Sequence, residues 1–348
     1  MTSGETIHIN GSYGEGGGQI LRTALTLAIL LQRPVHIDRI RAGRTKPGLA
    51  PQHLACLRAA AAISGAEISG DRIGSQEAFF EPGTVSPGDY RFDIGTAGST
   101  SLLFHTIFLP LATADGSSCL TLIGGTHVPW SPCTHYLQEV YLPVMARMGI
   151  ESRIDLERWG WYPRGGGIVR VEIDPVRKLD PLGDLRASPL RAIAGFSAVS
   201  NLPDSIAERE RGGVIRSLRG LDADIDVRIE RGPSIGEGTA VFLHAETEDG
   251  VTGFTSLGRR GKKAEEVGRE AGEALLDFLR SGASVDTHLA DQLILPMAIT
   301  GPGSSFTTPV LTSHLRTVLW LVEQFLPGRF EIIEEENVLV KRTPVGGH

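Results

Sequence analysis

The 348-residue sequence contains only three cysteines, Cys56, Cys119 and Cys133, and no two of them form a C-x-x-C pair. This scarcity argues against a disulfide framework and favours a reducing compartment, so we expect a cytoplasmic protein. Long hydrophobic runs are also missing. The longest apolar stretch, Ala24–Leu31, falls far short of the roughly 20 residues that a membrane span needs. The N-terminus has no basic region followed by an apolar one, so we predict neither a secretory signal nor a membrane segment.

Acidic residues outnumber basic residues by 41 to 34, which gives a net charge of −7. This balance argues against a protein that coats nucleic acid, because such binding depends on broad neutralisation of phosphates. It leaves room for a small basic pocket that takes one phosphorylated end. Positive charge is concentrated in Arg39–Lys46 and Arg259–Lys263, and each segment, taken alone, is typical of a solvated surface.

One pattern occurs three times along the chain. Each copy begins with an apolar, helix-like stretch and continues with a short strand: Gly16–Ala28 and Val35–Asp38, Gly95–Phe108 and Leu120–Ile123, Thr287–Ala298 and Ser305–Thr308. A proline then precedes a second helix that carries a histidine near its start, at His53, His135 and His314. Two strands close each copy. The pattern predicts three similar α/β units whose helices pack in one layer and whose sheets form another.

The third copy is interrupted by more than a hundred residues with their own strand and helix patterns. They predict strands at 192–199, 224–229 and 240–245, and helices at 207–221 and 263–279. We therefore expect an α/β protein of the α+β type, in which three repeated units form a large domain from residues 1–184 and 281–348. A smaller α/β domain, residues 185–280, is inserted in the third unit.

The segment Tyr13–Arg22 reads YGEGGGQILR and lies where a strand is expected to turn into a helix. Glycines at such a turn let backbone N–H groups approach a phosphate at the helix N-terminus, although a tight turn alone also requires glycine. Glu15 indicates more than a turn, because a carboxylate beside bound phosphates repels them unless a cation lies between. Arg22, two helical turns further on, can hold a second phosphate. We therefore predict a divalent-metal ligand at Glu15.

A second segment, Ile40–His53, places three cations among glycines and prolines, at Arg41, Arg44 and Lys46. Arginine side chains bind phosphate oxygens through two parallel hydrogen bonds. The segment is therefore a candidate phosphate-binding loop, with a solvated loop as the alternative.

His314 is the strongest candidate nucleophile, with Asp291 and Gln292 upstream. At the start of a helix, the helix dipole disfavours imidazolium and leaves a nitrogen lone pair free to attack phosphorus. A structural role is the alternative, because His53 and His135 occupy the corresponding places in the other copies.

Two further groups of residues are weaker candidates. His127, Cys133 and His135 could be metal ligands, but their spacing across two prolines fits no standard zinc pattern. The run Trp159–Gly167 offers aromatic faces and an arginine, and a packed hairpin is its simpler interpretation.

Six segments of the sequence together resemble the RNA 3′-terminal phosphate cyclase family, in order between about residue 7 and about residue 340. They are Gly14–Arg22, Arg41–Leu49, Asp89–Gly95, Tyr162–Gly167, Leu289–Leu293 and Ser313–Leu315. The first two are highly specific. The family's fold has three repeated α/β units, each distantly like those of enolpyruvyl transferases, and a smaller inserted domain. This expectation agrees with the repeats described above.

The resemblance implies a reaction in which the histidine matching His314 attacks the α-phosphorus of ATP and forms a covalent histidine–AMP. AMP then passes to an RNA 3′-phosphate, and the neighbouring 2′-hydroxyl expels it to give a 2′,3′-cyclic phosphate. The resemblance thus implies ATP, a divalent metal (Mg²⁺ or Mn²⁺) and an RNA with a 3′-phosphate end, while a homodimer is left open.

The resemblance also assigns site residues. Glu15 matches the metal-binding carboxylate, and the expected nucleotide and phosphate contacts are Gln19, Arg22, Arg41, Arg44, Gln52, Asp291 and its neighbour Gln292. Two positions depart from some relatives, which carry Gln in place of His105 and Tyr in place of His288. We expect both histidines to line the nucleotide pocket.

Two other functions are considered. Some relatives of the same fold lack the catalytic histidine and act as scaffolds in RNA binding and ribosome assembly, but His314 together with Glu15 and Arg22 argues against that role. A carboxyvinyl transferase is suggested by fold analogy alone and would not need a histidine nucleophile.

Overall fold

The computed structural model describes residues 5–344. Residues 1–4 and 345–348 lie outside this range. They include the two ends of the predicted large domain and part of the N-terminal stretch for which we predicted no secretory signal. Within residues 5–344, no helix is long and apolar enough to cross a membrane.

The first sheet is built from residues 7–81. Its elements in chain order are β1 (Ile7–Asn10), α1 (Gly18–Leu31), β2 (Val35–Asp38), α2 (Pro51–Ser64), β3 (Glu67–Ser69) and β4 (Ala78–Glu81). The strand order is β1-β2-β4-β3, with β1 and β2 parallel and the other pairs antiparallel. Strand β1 alternates buried isoleucines with exposed polar residues, so one sheet face covers the core and the other meets solvent.

The second sheet follows the same order of elements. They are β5 (Asp89–Asp93), α3 (Thr100–Ala112), β6 (Ser118–Gly124), α4 (Thr134–Tyr136), a π-helical turn (Leu137–Tyr141), α5 (Leu142–Ala146), β7 (Ser152–Arg158) and β8 (Gly167–Ile173). The strand order β5-β6-β8-β7 repeats that of the first sheet. The π-helical turn joins α4 to α5 without a break, so α4, the turn and α5 together correspond to α2 of the first sheet.

The third sheet begins with a two-residue strand, and the chain then leaves it for a fourth sheet. The elements are β9 (Gly183–Asp184), β10 (Leu190–Ser200), α6 (Asp204–Ser217), β11 (Asp224–Arg231), β12 (Gly238–Thr247), β13 (Val251–Leu257) and α7 (Ala264–Ser281). The chain returns through α8 (Thr287–Ile299), β14 (Ser304–Thr308), α9 (Ser313–Phe325), β15 (Phe330–Glu334) and β16 (Val338–Arg342). The third sheet's order, β9-β14-β16-β15, again matches the first.

The fourth sheet has a different order, β11-β10-β12-β13, and its own hydrophobic cluster beneath α6 and α7. These two helices touch through glycine: a Cβ on Gly268 would lie 1.9 Å from the carbonyl oxygen of Glu210. The other three sheets share one large core. In that core α1 packs against α2, α3 and α9, and α8 packs against α9.

The sequence patterns located most elements, with errors at their ends. The helix expected at 207–221 spans Asp204–Ser217 instead, because it begins directly after Pro203 and ends before the left-handed Gly220. The strand expected at 240–245 extends to Gly238–Thr247. Strand β9 was not predicted, since two residues are too short for any hydrophobic pattern.

Candidate functional site

Two carboxylates far apart in the sequence, Glu15 and Asp291, meet around His314. Its Nε2 atom lies 3.2 Å from Oε2 of Glu15, in the loop between β1 and α1. Its Nδ1 atom lies 3.7 Å from Oδ2 of Asp291, in the second turn of α8. The Ser313 hydroxyl donates a hydrogen bond to the other Glu15 oxygen. The imidazole is thus flanked by a carboxylate on each of its nitrogens.

The start of α9 exposes His314 to solvent. The Thr312 side chain caps the helix by accepting a hydrogen bond from the Leu315 N–H at 3.0 Å. Leu315 is fully buried, whereas the His314 side chain is 54% exposed. The glycine loop lies against this helix at Gly14, which has a φ of +56° and where a Cβ would lie 2.6 Å from the Thr317 hydroxyl. Glycine is therefore required for the loop to bring Glu15 to His314.

Helix α8, which carries Asp291, is anchored at its start by Asp286. The Asp286 carboxylate accepts hydrogen bonds from the N–H groups of His288 and Leu289 at 2.9 and 3.0 Å. It also accepts them from the hydroxyls of Tyr136, at 3.1 Å, and Thr252, at 2.9 Å. Sequence reasoning missed Asp286, although an aspartate directly before a helix is a common N-cap signal.

The two carboxylates beside His314 differ in their ionisation. The hydrogen bond from Ser313 lowers the pKa of Glu15, with further contributions from His314 and Arg44, so Glu15 is charged at neutral pH. Burial raises the pKa of Asp291 to about 7, and the nearby charge of Asp286 adds to this effect. Asp291 therefore gains and loses its proton close to neutrality, while Glu15 does not.

Basic side chains surround the first turn of α1. A Cβ on Gly18 would lie 2.1 Å from Nε2 of His53 and 2.7 Å from a guanidinium nitrogen of Arg22, so both side chains lie directly over this backbone. A Cβ on Gly17 would lie 3.6 Å from a guanidinium nitrogen of Arg44. Gly17 caps the helix without a side-chain hydrogen bond. The N–H groups of this turn and the cations above it form what we call the α1 cradle, defined by Gly17, Gly18, Arg22, Arg44 and His53.

The α1 cradle presents hydrogen-bond donors to an anion. Burial, reinforced by Arg22 and Arg41, lowers the pKa of His53 to about 3, so its ring is neutral. Its Nδ1 atom accepts a hydrogen bond from the Ala50 N–H at 3.2 Å, which leaves the proton on Nε2, facing Gly18. Together with backbone N–H groups at a helix start, this arrangement is typical of a phosphate site.

Other predicted site residues connect the surrounding helices. Gln19 donates a hydrogen bond to Asp291 at 3.2 Å and so links α1 to α8. Gln52 accepts one from the Ser99 N–H at 3.2 Å, at the start of α3. Arg41 donates to the Gly48 carbonyl at 2.8 Å and shapes its own loop.

Two predicted pocket residues have buried polar atoms without a partner in the described part of the chain, His105 at Nε2 and Gln292 at Oε1. Burial lowers the pKa of His105 to about 3, and the charge of Arg22 adds to this effect. Buried polar atoms are rarely left unpaired, so both are suited to a bound ligand. His288 is exposed in the first turn of α8. Within residues 5–344, no side-chain hydrogen bond or ion pair joins it to the other site residues.

A divalent metal fits the surroundings of Glu15. Its carboxylate is ionised, 43% exposed and next to the Ser313 hydroxyl and the α1 cradle. Mg²⁺ and Mn²⁺ prefer oxygen ligands, and Mg²⁺ commonly uses one or two carboxylates together with substrate phosphates and water. One exposed carboxylate beside a phosphate site satisfies this requirement.

Comparison with known proteins matches the sequence of this chain to a family. The family model for RNA 3′-terminal phosphate cyclase matches residues 13–332. A protein from Nostoc punctiforme with that name is 41% identical over 340 residues, covering 96% of this chain and 98% of that protein. Similarly named proteins are 44% identical in Methylococcus capsulatus, covering 94% of this chain and 92% of that protein, and 43% identical in Pyrobaculum aerophilum, covering 94% and 95%.

The chain therefore belongs to the RNA 3′-terminal phosphate cyclase family. We identify it as an enzyme of this family, which confirms the resemblance noted in the sequence. A solved structure, the enolpyruvyl transferase NikO from Streptomyces tendae, is 19% identical and covers 50% of this chain and 33% of that chain with a TM-score of 0.29. A TM-score this low supports no argument about fold or function.

Proposed function

We propose that the protein converts an RNA 3′-terminal phosphate to a 2′,3′-cyclic phosphate at the expense of ATP, through a covalent His314–AMP and an RNA–adenylate. The observation that carries this proposal is the exposed imidazole of His314, held between Glu15 and Asp291 beside the α1 cradle. The names of the relatives support the cyclase activity, and the exposed position of His314 between two carboxylates supports its assignment as the nucleophile of the first step.

In the first step, we assign the attack to Nε2 of His314. The Nδ1 atom faces Asp291 at 3.7 Å and can keep its proton on that side. Nε2 lies 3.2 Å from the charged Glu15 carboxylate, so its lone pair would be free for attack when that carboxylate holds the metal instead of the ring. This nitrogen forms a bond to the α-phosphorus of ATP, and the bond from that phosphorus to pyrophosphate breaks. The imidazole proton can pass to Asp291, whose pKa of about 7 suits a group that both accepts and returns a proton.

The α1 cradle would hold the phosphates during this attack. Its backbone N–H groups, Arg22, Arg44 and the Nε2–H of His53 are all donors on one side of the glycine loop. Glu15 would hold the divalent metal. When bound, the metal supplies positive charge that offsets the phosphates beside the carboxylate.

In the later steps, an oxygen of the RNA 3′-phosphate attacks the phosphorus of His314–AMP and the N–P bond breaks. The ribose 2′-hydroxyl then attacks the activated 3′-phosphorus, and AMP leaves. The hydroxyl is held next to its target by the sugar itself, so its effective concentration is high and the protein needs little additional machinery for ring closure.

The same proposal covers the domain organisation. The three sheets of matching strand order represent three repeated units, and residues 185–280 represent a domain inserted in the third. The separate hydrophobic cluster beneath α6 and α7 supports this division. A cytoplasmic location and a homodimer remain predictions.

The activity is tested with an RNA that carries a 3′-phosphate, incubated with ATP and magnesium. We expect an end that resists phosphatase and has the mobility of a 2′,3′-cyclic phosphate, whereas an RNA with a 3′-hydroxyl stays unchanged. Binding of the RNA without any ATP-dependent turnover would support the scaffold alternative and contradict the proposal. Turnover of phosphoenolpyruvate in place of ATP would support a carboxyvinyl transferase.

A further inference from the structure

A second cluster of ligand-type side chains lies outside the site of His314. It consists of His127, in the segment after β6, with Cys133 and His135 at the start of α4. The ring atoms His127 Nε2 and His135 Nδ1 are 3.0 Å apart, and the Cys133 sulfur lies within 4.8 Å of both. His127 and Cys133 are 1% and 2% exposed. The fold thus brings together three ligand-type side chains whose spacing in the sequence fits no standard zinc pattern.

The atoms that would bind a metal are oriented by neighbouring groups. The Nδ1 atom of His127 lies 2.9 Å from the Thr126 hydroxyl, which itself accepts a hydrogen bond from the Gly160 N–H at 2.9 Å. The Cys133 sulfur lies 3.3 Å from the Thr255 hydroxyl and receives backbone N–H groups of His135 and Tyr136. Metal-bound histidines are generally held in this way through their second nitrogen. Burial raises the pKa of the Cys133 thiol and the hydrogen bonds offset only part of that rise, so the thiolate would form when a metal displaces the thiol proton.

The cluster lies between two sheets. His127 stacks on Trp159, which follows β7, with ring centres 4.2 Å apart and planes at 8°. His135 meets the ring of Phe196 on β10 at 4.5 Å. Phe196 and Thr255 both belong to the fourth sheet, so a metal bound to the three ligands would lie against that sheet.

The chemistry of the three side chains selects a borderline-soft metal. Burial lowers the pKa of His135 to about 4 and that of His127 well below its usual value, so both rings are neutral and carry lone pairs at neutral pH. Imidazole nitrogen and thiolate sulfur are ligand types that zinc prefers, with a water molecule as the fourth ligand of a three-residue site, whereas Mg²⁺ and Ca²⁺ require oxygen ligands that the cluster does not supply.

We propose that His127, Cys133 and His135 bind one zinc ion, which lies where the segment between β6 and α4 packs on the fourth sheet. Two nitrogens at about 2.05 Å from a tetrahedral zinc are about 3.3 Å apart, so the rings would need to separate only slightly from their present 3.0 Å. Zinc bonds to the sulfur and to both nitrogens. This breaks the hydrogen bond between the two rings and displaces the thiol proton of Cys133, which leaves to solvent. A hydrogen-bonded imidazole pair without metal is the alternative.

The test measures metal content of the untagged, full-length protein after exhaustive dialysis. We expect one zinc per chain in the unaltered protein and less than a tenth of that in Cys133→Ala and in His135→Ala. Two matched controls should retain the metal. Cys119→Ala removes the exposed cysteine, and Glu15→Gln removes the candidate magnesium ligand.

A second measurement covers the case in which the cluster variants fail to fold. Zinc is removed from the unaltered protein and replaced by cobalt, and a thiolate-to-cobalt absorption band in the near ultraviolet is expected in both the unaltered protein and Cys119→Ala. Removing zinc with a chelator should also lower the melting temperature, which zinc but not magnesium restores. The proposal is overturned if the unaltered protein holds no zinc and gives no such band. It is equally overturned if Cys133→Ala keeps its zinc, or if only Glu15→Gln or Cys119→Ala loses the metal.

Discussion

The starts of α9 and α4 occupy the same place in the order of elements of their sheets, yet their histidines have opposite surroundings. His314 is 54% exposed and flanked by two carboxylates. His135 is half-buried, and it contacts a second imidazole and an aromatic ring of the fourth sheet. The position in the fold thus provides a histidine near a helix start, and the segments packed on that helix decide what it can do.

Access is the main difference between the two histidines. A ring that reacts with ATP must be open on one side, and the start of α9 meets this condition. Around α4, Phe196 and Trp159 close the space and lower the pKa of His135 to about 4. The third histidine of the pattern, His53, is again different, because it takes part in the α1 cradle. The comparison therefore predicts one nucleophile among the three.

Among the residues around His314, the largest effect is expected from removing the Glu15 carboxylate, which distinguishes the start of α9. Glu15→Ala should slow formation of the AMP adduct by about 100-fold or more, because the metal loses its protein ligand. Glu15→Gln should recover little, since the cation needs the negative charge. The measurement is the rate of adduct formation against magnesium concentration. An unchanged magnesium dependence in Glu15→Ala would place the metal elsewhere.

A smaller loss is expected from the cationic residues. Arg44→Ala and Arg41→Ala should each reduce the preference for an RNA 3′-phosphate over a 3′-hydroxyl, by roughly 10-fold for a lost charge-assisted hydrogen bond. Binding of the two RNAs to the unaltered protein is compared first, and Arg316→Ala, at an exposed position on α9, serves as the control. Equal affinity of the unaltered protein for both ends would rule out this role.

The pH dependence tests the second carboxylate beside His314. The pKa of Asp291 is raised to about 7, so the side chain is neutral below that pH and charged above it. Only the charged form can accept the Nδ1 proton of His314, 3.7 Å away, so the adduct rate should rise as the pH passes upward through about 7. Asp291→Asn should remove this rise and cost roughly 10-fold at pH 8. Single-turnover labelling between pH 5.5 and 8.5 measures both. A rise that persists in Asp291→Asn would assign the titration to another group.

The smallest effects are expected at the other two histidines. His53→Asn should still form the adduct, several-fold more slowly because one donor of the α1 cradle is altered. His135→Asn should form it within about twofold of the unaltered rate, once its folding has been verified by circular dichroism. A complete loss in either variant would mean that the comparison of the three helix starts does not identify the nucleophile.

The sequence predicted candidate site residues, several of which the structure brings together, but it did not predict their contacts. Glu15, Arg22, Asp291 and His314 were predicted from motifs and from the family resemblance, and the structure brings Glu15, Asp291 and His314 together. The contact of Ser313 with Glu15 was not predicted, because this hydrogen bond joins residues 298 positions apart and depends on how the glycine loop lies on α9. The environment of His53 was missed for the same reason, since only the packing of α2 on α1 places its ring over Gly18.

The cluster around His127 shows a different limit. The spacing of its three residues in the sequence resembles no metal motif. The three side chains lie close together because of the path of the chain between β6 and α4. Hydrophobic periodicity carries no information about such a path. Strand β9 was missed because a two-residue strand is recognised only by its pairing with β14.

The central claim, that His314 is the nucleophile, is tested most directly by incubating the protein with α-labelled ATP and magnesium. We predict acid-labile, alkali-stable label on the unaltered protein, located on His314 by peptide mapping, and none on His314→Asn. A pre-adenylated RNA 3′-end should still cyclise to some degree with His314→Asn, because the last step uses the 2′-hydroxyl of the RNA. Label on His314→Asn, together with its loss in His53→Asn or His135→Asn, would contradict the assignment.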